Sequence, residues 1–367
     1  MIYFDHNATT PLDERVLEAM LPYLGNLYGN ASSLYRLGRI SKTAIDSARE
    51  QIAALVDCEP RQIIFTSGGT EANGLAMRQV FTRGIVYSGL EHPSVFENIV
   101  NQAQCFRQIF KLPVTASGIV KPDALVDLPL QTGDWLTLML ANNETGAIQS
   151  IAEFTEMAKA RGLLVHCDAV QGLGKIAVSF QQLGVQLLSL SSHKIYGPKG
   201  CGALVVADNL NCQPLMRGGE QEQGWRSGTE NVAAIVGFGK AAQLAKAELQ
   251  QRNRHLVKLR LRLEQQLQAI PNLTIFAVSV ERLPNTVQFA IDGINGEMLL
   301  MQLDRHNIAV SSGSACAVGT EQISPVLAAM AVQPELAKAA IRVSLGKDSN
   351  EQQIDEFVSV LKTLIAS

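Results

Sequence analysis

The chain reads as α/β: a mainly parallel sheet forms a large domain, and a smaller α+β domain follows it. Two patterns carry this reading. Short apolar runs at 62–66, 85–88, 135–141, 163–168, 187–191 and 202–206 alternate with helical patterns such as 70–81 and 151–161. Strands separated by helices pair in parallel, with helices on both faces of the sheet. The rhythm then changes, because 231–270 reads as long helical material with leucines at 256, 259, 261, 263 and 267 and charge on the other side. Beyond it come strand candidates at 273–278, 286–291, 308–311 and 340–345, with helices near 296–305 and 351–366. The expected division is a large domain over 15–250 and a small domain made of 1–14 plus 251–367. A length of 367 residues is ample for two such units.

Composition narrows the function class. A formal net charge of −3 gives no electrostatic footprint for nucleic acid, and no Lys/Arg block points to a membrane surface. No apolar run approaches the roughly 18 residues of a membrane span, and the opening Met1 to His6 is not a signal peptide, so a cytoplasmic protein is expected. The six cysteines are scattered without a C-x-x-C pair, which argues against a zinc site or a disulfide framework and suits a reducing compartment.

Chemistry is concentrated at the ends of the apolar runs. Lys194 follows the run at 187–190 and precedes the glycine-rich Tyr196 to Gly200. A lysine there can snorkel to solvent. It can equally be desolvated into a nucleophilic amine that holds an aldehyde cofactor as an imine. Asp168 ends the run at 163–167. An amine and a carboxylate on two buried strand ends are what a pyridoxal phosphate ring requires: the lysine for its aldehyde carbon, the aspartate for its pyridine nitrogen. Asp168 could instead cap a helix at 169–173, but Gly172 and Gly174 make that helix a poor one. Thr66 to Glu71, with Gly68 and Gly69 after a strand and before a helix, offers backbone amides and the Thr70 hydroxyl to a phosphate. His92 closes the strand at 85–88 and could lie flat on a cofactor ring. His92 and His193 are the two histidines expected at a site; His6 and His166 stay open, and His255 is expected to face solvent. Cys167 is expected to pack away from the cofactor, since neighbours on a strand face opposite sides.

With these motifs in order, the chain resembles the class V aminotransferase superfamily of pyridoxal-phosphate enzymes, and within it the cysteine desulfurases. The resemblance runs from Phe4-Asp5-His6-Asn7-Ala8-Thr9-Thr10-Pro11 through Asn142-Asn143-Glu144-Thr145-Gly146, His166-Cys167-Asp168-Ala169-Val170-Gln171 and Arg226-Ser227-Gly228-Thr229-Glu230-Asn231 to Ser311-Ser312-Gly313-Ser314-Ala315-Cys316 and Ile341-Arg342-Val343-Ser344-Leu345-Gly346. It implies the pyridoxal-phosphate transferase type I fold. It also implies that Lys194 carries the cofactor, Asp168 pairs with the pyridinium, His92 stacks on the ring, Gln171 bonds the phenolic oxygen, and Asn143 lies near the ring and the substrate carboxylate. Phosphate contacts would come from Gly69, Thr70, Ser191, Ser192 and His193, and from Thr229 of a neighbouring subunit in a homodimer. Arg342 would hold the substrate carboxylate, its planar fork matching two parallel bonds.

Cys316 discriminates within the superfamily. Small residues and glycines surround it between Ser311 and Thr320, so it can be presented on a loop as a competent thiolate. The implied reaction converts L-cysteine to L-alanine, with a persulfide formed on Cys316 and passed to a sulfur-acceptor protein of iron-sulfur or thiolation pathways. Selenocysteine lyase, or another class V enzyme, uses the same electron sink and would differ in its need for the thiol. A non-catalytic dimeric partner platform would bind no cofactor. Two departures stand out. Ala31 and Tyr35 replace the proline and histidine common in the entrance loop, and the sequence stops at Ser367, without the extension that helps longer relatives dock a scaffold.

Overall fold

Seven strands form the central sheet, in the order Ile63–Thr66, Gly202–Val206, Leu187–Ser191, Leu164–Asp168, Trp135–Met139, Gly84–Ser88 and Gln108–Leu112. The structure is a computed structural model and describes residues 1–210, 212–312 and 323–366. Every pairing is parallel except the two made by Gly202–Val206, which runs against both neighbours. The apolar runs are nearly continuous because both faces are covered. Along each strand alternate side chains enter different cores: Ile64, Ile85, Leu187 and Leu204 join one cluster, and Phe65, Val86, Leu188 and Val205 the other.

The expected α/β order holds, with differences at the edges. Gln108–Leu112, which the sequence reading did not assign, is an edge strand with Gln108, Ile109 and Lys111 exposed, so no apolar run announces it. The strand expected at 135–141 ends at Met139, where Leu140 and Ala141 lead into the 142–146 turn. The one expected over 273–278 is cut to Leu273–Ile275; Ala277 takes the left-handed conformation, φ 57°, and turns the chain. Two helices not assigned from sequence, Glu14–Leu24 and Arg36–Val56, pack on the long helix Val232–Gln268.

That long helix joins two hydrophobic cores. Its first half buries Phe238, Ala241, Ala242 and Ala245 against the core beneath the central sheet. Its last turns bury Leu256, Leu259, Leu263 and Leu267 in a separate core with Phe4, Phe289, Ile341 and Phe357. Over this second core lie an antiparallel sheet of Ala340–Ser344, Thr286–Ile291 and Leu273–Ile275 and the helices Gly296–Arg305 and Glu351–Ala366. The N-terminal strand Ile2–Tyr3 pairs with Ile308–Ala309, and Phe4 and His6 bond Ser344, which brings the first residues onto this part of the chain. No helix among the described residues is long and apolar enough to cross a membrane.

Candidate active site

The strands Ile63–Thr66, Gly84–Ser88, Trp135–Met139, Leu164–Asp168 and Leu187–Ser191 run the same way, so their carboxyl ends and the loops beyond gather along one edge, where doubly wound sheets bind ligands. A cavity of about 280 Å³ opens there. Nine of the thirteen residues singled out from sequence line it: Lys194, Asp168, His92, Asn143, Gln171, Gly69, Thr70, Ser191 and His193. A more open hollow of about 590 Å³ between the helices Glu14–Leu24, Arg36–Val56 and Val232–Gln268 contains none of them.

Lys194 lies on the single 3-10 turn Ser192–Lys194 that follows Leu187–Ser191. Its Nζ donates to the carbonyl oxygens of Asn7, at 2.5 Å, and Ala8, at 2.8 Å. Burial first, and the nearby Arg342 cation second, pull its amine down to about 8, against the opposing pull of Asp5 and Asp168. Roughly a tenth of the amine is therefore unprotonated at pH 7, far more than for an ordinary lysine, and that fraction can act as a nucleophile or base.

Asp168 ends its strand buried and hydrogen-bonded through both oxygens. Oδ1 accepts from the Val170 amide at 3.0 Å and Oδ2 from Asn73 Nδ2 at 2.8 Å. Asn73, one turn into the helix Gly69–Arg78, also donates to Ser94 Oγ and lines the cavity. The sequence reading missed it: one asparagine in a helix gives no signal beyond its four-residue distance from Gly69. His92 caps the helix Pro93–Asn101, its Nδ1 accepting from the Ser94 amide, and burial lowers its proton affinity despite Asp168. Behind it Glu91 is buried, accepting from Ser88 Oγ and the Met139 amide, and burial pushes it up to about 8. His166 bonds Thr137 and Ser189 inside the sheet, while His6 packs edge-on to Tyr3; burial holds both imidazoles down to about 4. His193 borders the cavity with Nδ1 toward Thr9. His255 is not a solvent-facing decoration, since it is half-buried and its ring bonds the Ser349 carbonyl.

Gly69 and Thr70 begin the helix Gly69–Arg78, whose first amides and macrodipole favour an anion. Ser191 Oγ is buried beside them with no hydrogen-bond partner among the described residues. A buried hydroxyl is costly unless answered, and a phosphate oxygen would answer it. On this observation, with Asp168 and Lys194 in the same cavity, the residues fit pyridoxal phosphate. Ser192 does not line the cavity: its hydroxyl faces Gly197, where a side chain would collide with it. Thr229 is exposed and likewise does not border it.

Arg342, on the strand Ala340–Ser344, is buried next to Asn143. Its guanidinium donates to the Asn143 carbonyl at 3.0 Å and pairs with Asp5 at 2.6 Å. Cys316 lies outside the described residues, as do Gly313 and Gly319. Among the described cysteines, burial pushes the Cys58, Cys201 and Cys212 thiols up to about 12 and Cys167 well above the ordinary value, so these four are poor thiolates. Cys167 packs in the core beneath the sheet, away from the cavity. Of the two departures, Ala31 is buried in the first hydrophobic core and Tyr35 is exposed; neither lines the cavity.

Comparison with known proteins gives a consistent picture. The profile of the Aminotransferase class-V family matches residues 2–357. The cysteine desulfurase IscS of Methanosarcina thermophila is 39% identical over 371 residues, spanning 99% of this chain and 92% of that protein. A solved structure titled NifS-like protein superposes with a TM-score of 0.93 at 34% identity, covering 100% of this chain and 99% of the other. A structure titled SspA in complex with cysteine superposes at 0.82 with 28% identity, over 94% of this chain and 99% of that one.

Proposed function

Because the chain belongs to the class-V aminotransferase family, and within it to the cysteine desulfurases, we propose that it takes sulfur from L-cysteine, releases L-alanine, and holds the sulfur on Cys316 for an acceptor protein. The observation that carries this reading is the sharing of one cavity by the Lys194 amine and the Asp168 carboxylate. Pyridoxal phosphate, when bound, supplies an electron sink conjugated to the substrate's Cα.

The side chains divide the remaining work. Lys194 would hold the cofactor's aldehyde carbon, and its free amine would be the base for the substrate's Cα proton, a task that an affinity of about 8 suits. Asp168, fixed by Asn73 and Val170, keeps the pyridine nitrogen protonated. His92 covers the ring and carries protons to and from the substrate. Gln171 bonds the phenolic oxygen. Gly69, Thr70, Ser191 and His193 would hold the phosphate, whereas Ser192, its hydroxyl turned to Gly197, would not reach it from outside the cavity. Arg342 receives the substrate carboxylate beside Asn143. The Cys316 thiolate attacks the substrate sulfur: an S–S bond forms, the Cβ–S bond breaks, and the carbon gains a proton. L-cysteine and a thiol become L-alanine and a persulfide.

The same reading makes the enzyme a cytoplasmic homodimer in which Thr229 reaches the neighbour's phosphate; its exposure away from its own cavity supports this. It divides the chain into a large domain, 15–250, and a small one, 1–14 plus 251–367, supported by the separate core of Phe4, Leu263, Phe289 and Phe357; Phe276, Ala290, Val326 and Leu327 of the small one pack into the first core. The acceptor is an iron-sulfur scaffold or a tRNA or nucleic-acid thiolation enzyme. The test is Cys316→Ala, assayed for sulfide release from L-cysteine with the visible cofactor band recorded alongside. Sulfide release should fall by at least 100-fold, on the order expected for loss of a nucleophile, while the band stays. Unchanged release would defeat the reading.

A further inference from the structure

Lys175 has no role in the reaction above, yet it is buried beside the cavity with no ion-pair partner among the described residues. Its Nζ donates to two side-chain oxygens, Gln171 Oε1 at 2.7 Å and Asn7 Oδ1 at 2.8 Å. A neutral amine has two N–H bonds and an ammonium three, so both acceptors are served in either protonation state. The groups facing it are cations and an imidazole: Lys194 and Arg342 act on it electrostatically, and it acts on His6. Lys175 and Lys194 also border one small hollow of about 20 Å³.

The hydrogen bonds fix the sense of every amide in this cluster. Asn7 Nδ2 donates to the Asn143 carbonyl, which can only accept, so Asn7 Oδ1 must face Lys175 and Asn285. Gln171 Nε2 donates to the Asn7 carbonyl, and Lys175 claims Gln171 Oε1. Turning the Gln171 amide over would set an NH2 group against the lysine and an oxygen against a carbonyl, leaving buried groups unpaired. Gln171 borders the cavity; with Oε1 claimed by Lys175 and one Nε2 hydrogen engaged by Asn7, the second Nε2 hydrogen is what the amide has left to offer there. The cavity wall is therefore a donor at this point.

We propose that Lys175 is a positioning residue: it clamps Gln171 so that an N–H, rather than the amide oxygen, meets the phenolic oxygen of the cofactor. This rests on the cofactor reading given above. A donor at that oxygen stabilises its negative charge, so loosening Gln171 raises the pH at which the bound cofactor's visible absorption changes.

The experiment is a spectrophotometric pH titration of cofactor-loaded protein. Lys175→Met should move the midpoint up by about one unit, a tenfold change in proton affinity. In a Gln171→Leu background the same substitution should move it far less, because the clamp then has nothing to hold. An undiminished shift there overturns the proposal, since Lys175 would then act through its charge alone. Lys175→Gln, which retains an amide donor, should give a smaller upward shift and serves if the methionine variant does not fold. An unmoved midpoint in either variant, with the wild type titrating normally, overturns the role of Lys175 and leaves the cofactor reading intact. A wild type that acquires no visible band overturns both.

Discussion

Asp168 has both oxygens taken, one by the backbone of Val170 and one by Asn73, and this double hold aims the carboxylate into the cavity. A hydrogen bond to a charged group contributes about 1.5–3 kcal/mol. Asn73→Ala should therefore weaken cofactor binding roughly tenfold or more, read as the dissociation constant in an absorbance titration; unchanged affinity would show that Asn73 is not part of the hold. Glu91 gives a prediction with a definite sign. Burial raises it to about 8, whereas in an unfolded chain it titrates near ~4.3. Between these values the folded state keeps a proton that the unfolded state has released, so this group's contribution to stability falls as pH rises through that window. Glu91→Gln has no proton to lose. Its Tm should gain on the wild type as pH goes from about 5 to about 8, and parallel Tm-against-pH curves would contradict the assignment. Lys194, Asp168 and His92 were legible in sequence because each follows an apolar run that had to end at a sheet edge. Asn73 and Lys175 were not, because their importance comes from partners far away along the chain, Asp168 for one and Asn7 for the other.

The helix Val232–Gln268 serves two cores with one continuous backbone. Its first half carries Gly237 and Gly239, where a side chain would collide with Met20 of Glu14–Leu24 and with Ala48 of Arg36–Val56, so both helices approach closely. Its last turns carry leucines at helical spacing into the second core. Leu263 is fully buried there, so Leu263→Ala should cost about 2–5 kcal/mol. Chemical denaturation measures this directly, and a loss under about 0.5 kcal/mol, the level of surface substitutions, would mean that this end of the helix is not packed as described. The helix was legible from its leucine spacing, as were the buried strands from their apolar runs. The edge strand Gln108–Leu112 was not, because Gln108 and Lys111, exposed at the edge, break its apolar residues into pieces too short to read as a run. The shortened Leu273–Ile275 shows the converse: an apolar run does not stay a strand where the backbone turns at Ala277.

Over the whole molecule, one sheet places an acid, an amine, an imidazole and a helix start on strand ends along one edge, the acid and the amine on neighbouring strands, and the second core brings Arg342 and the first residues over them. Asn7 is the junction. Its carbonyl receives Lys194 and Gln171, and its side chain binds Lys175, Thr286 and Asn285, so the N-terminal segment ties the two cores together at the cavity. The α/β order was legible because strands and helices alternate. The convergence of residues 5–8 on Lys194 was not, since no local pattern encodes a contact across nearly two hundred residues. The half-buried Lys194 and the buried Lys175 stand close enough for one charge to act on the other, and only Lys194 is proposed to hold the cofactor. Borohydride reduction of the cofactor-loaded protein, followed by peptide mass spectrometry, decides between them: the added mass should sit on Lys194 alone, and a label on Lys175, or on neither lysine, would refute the assignment.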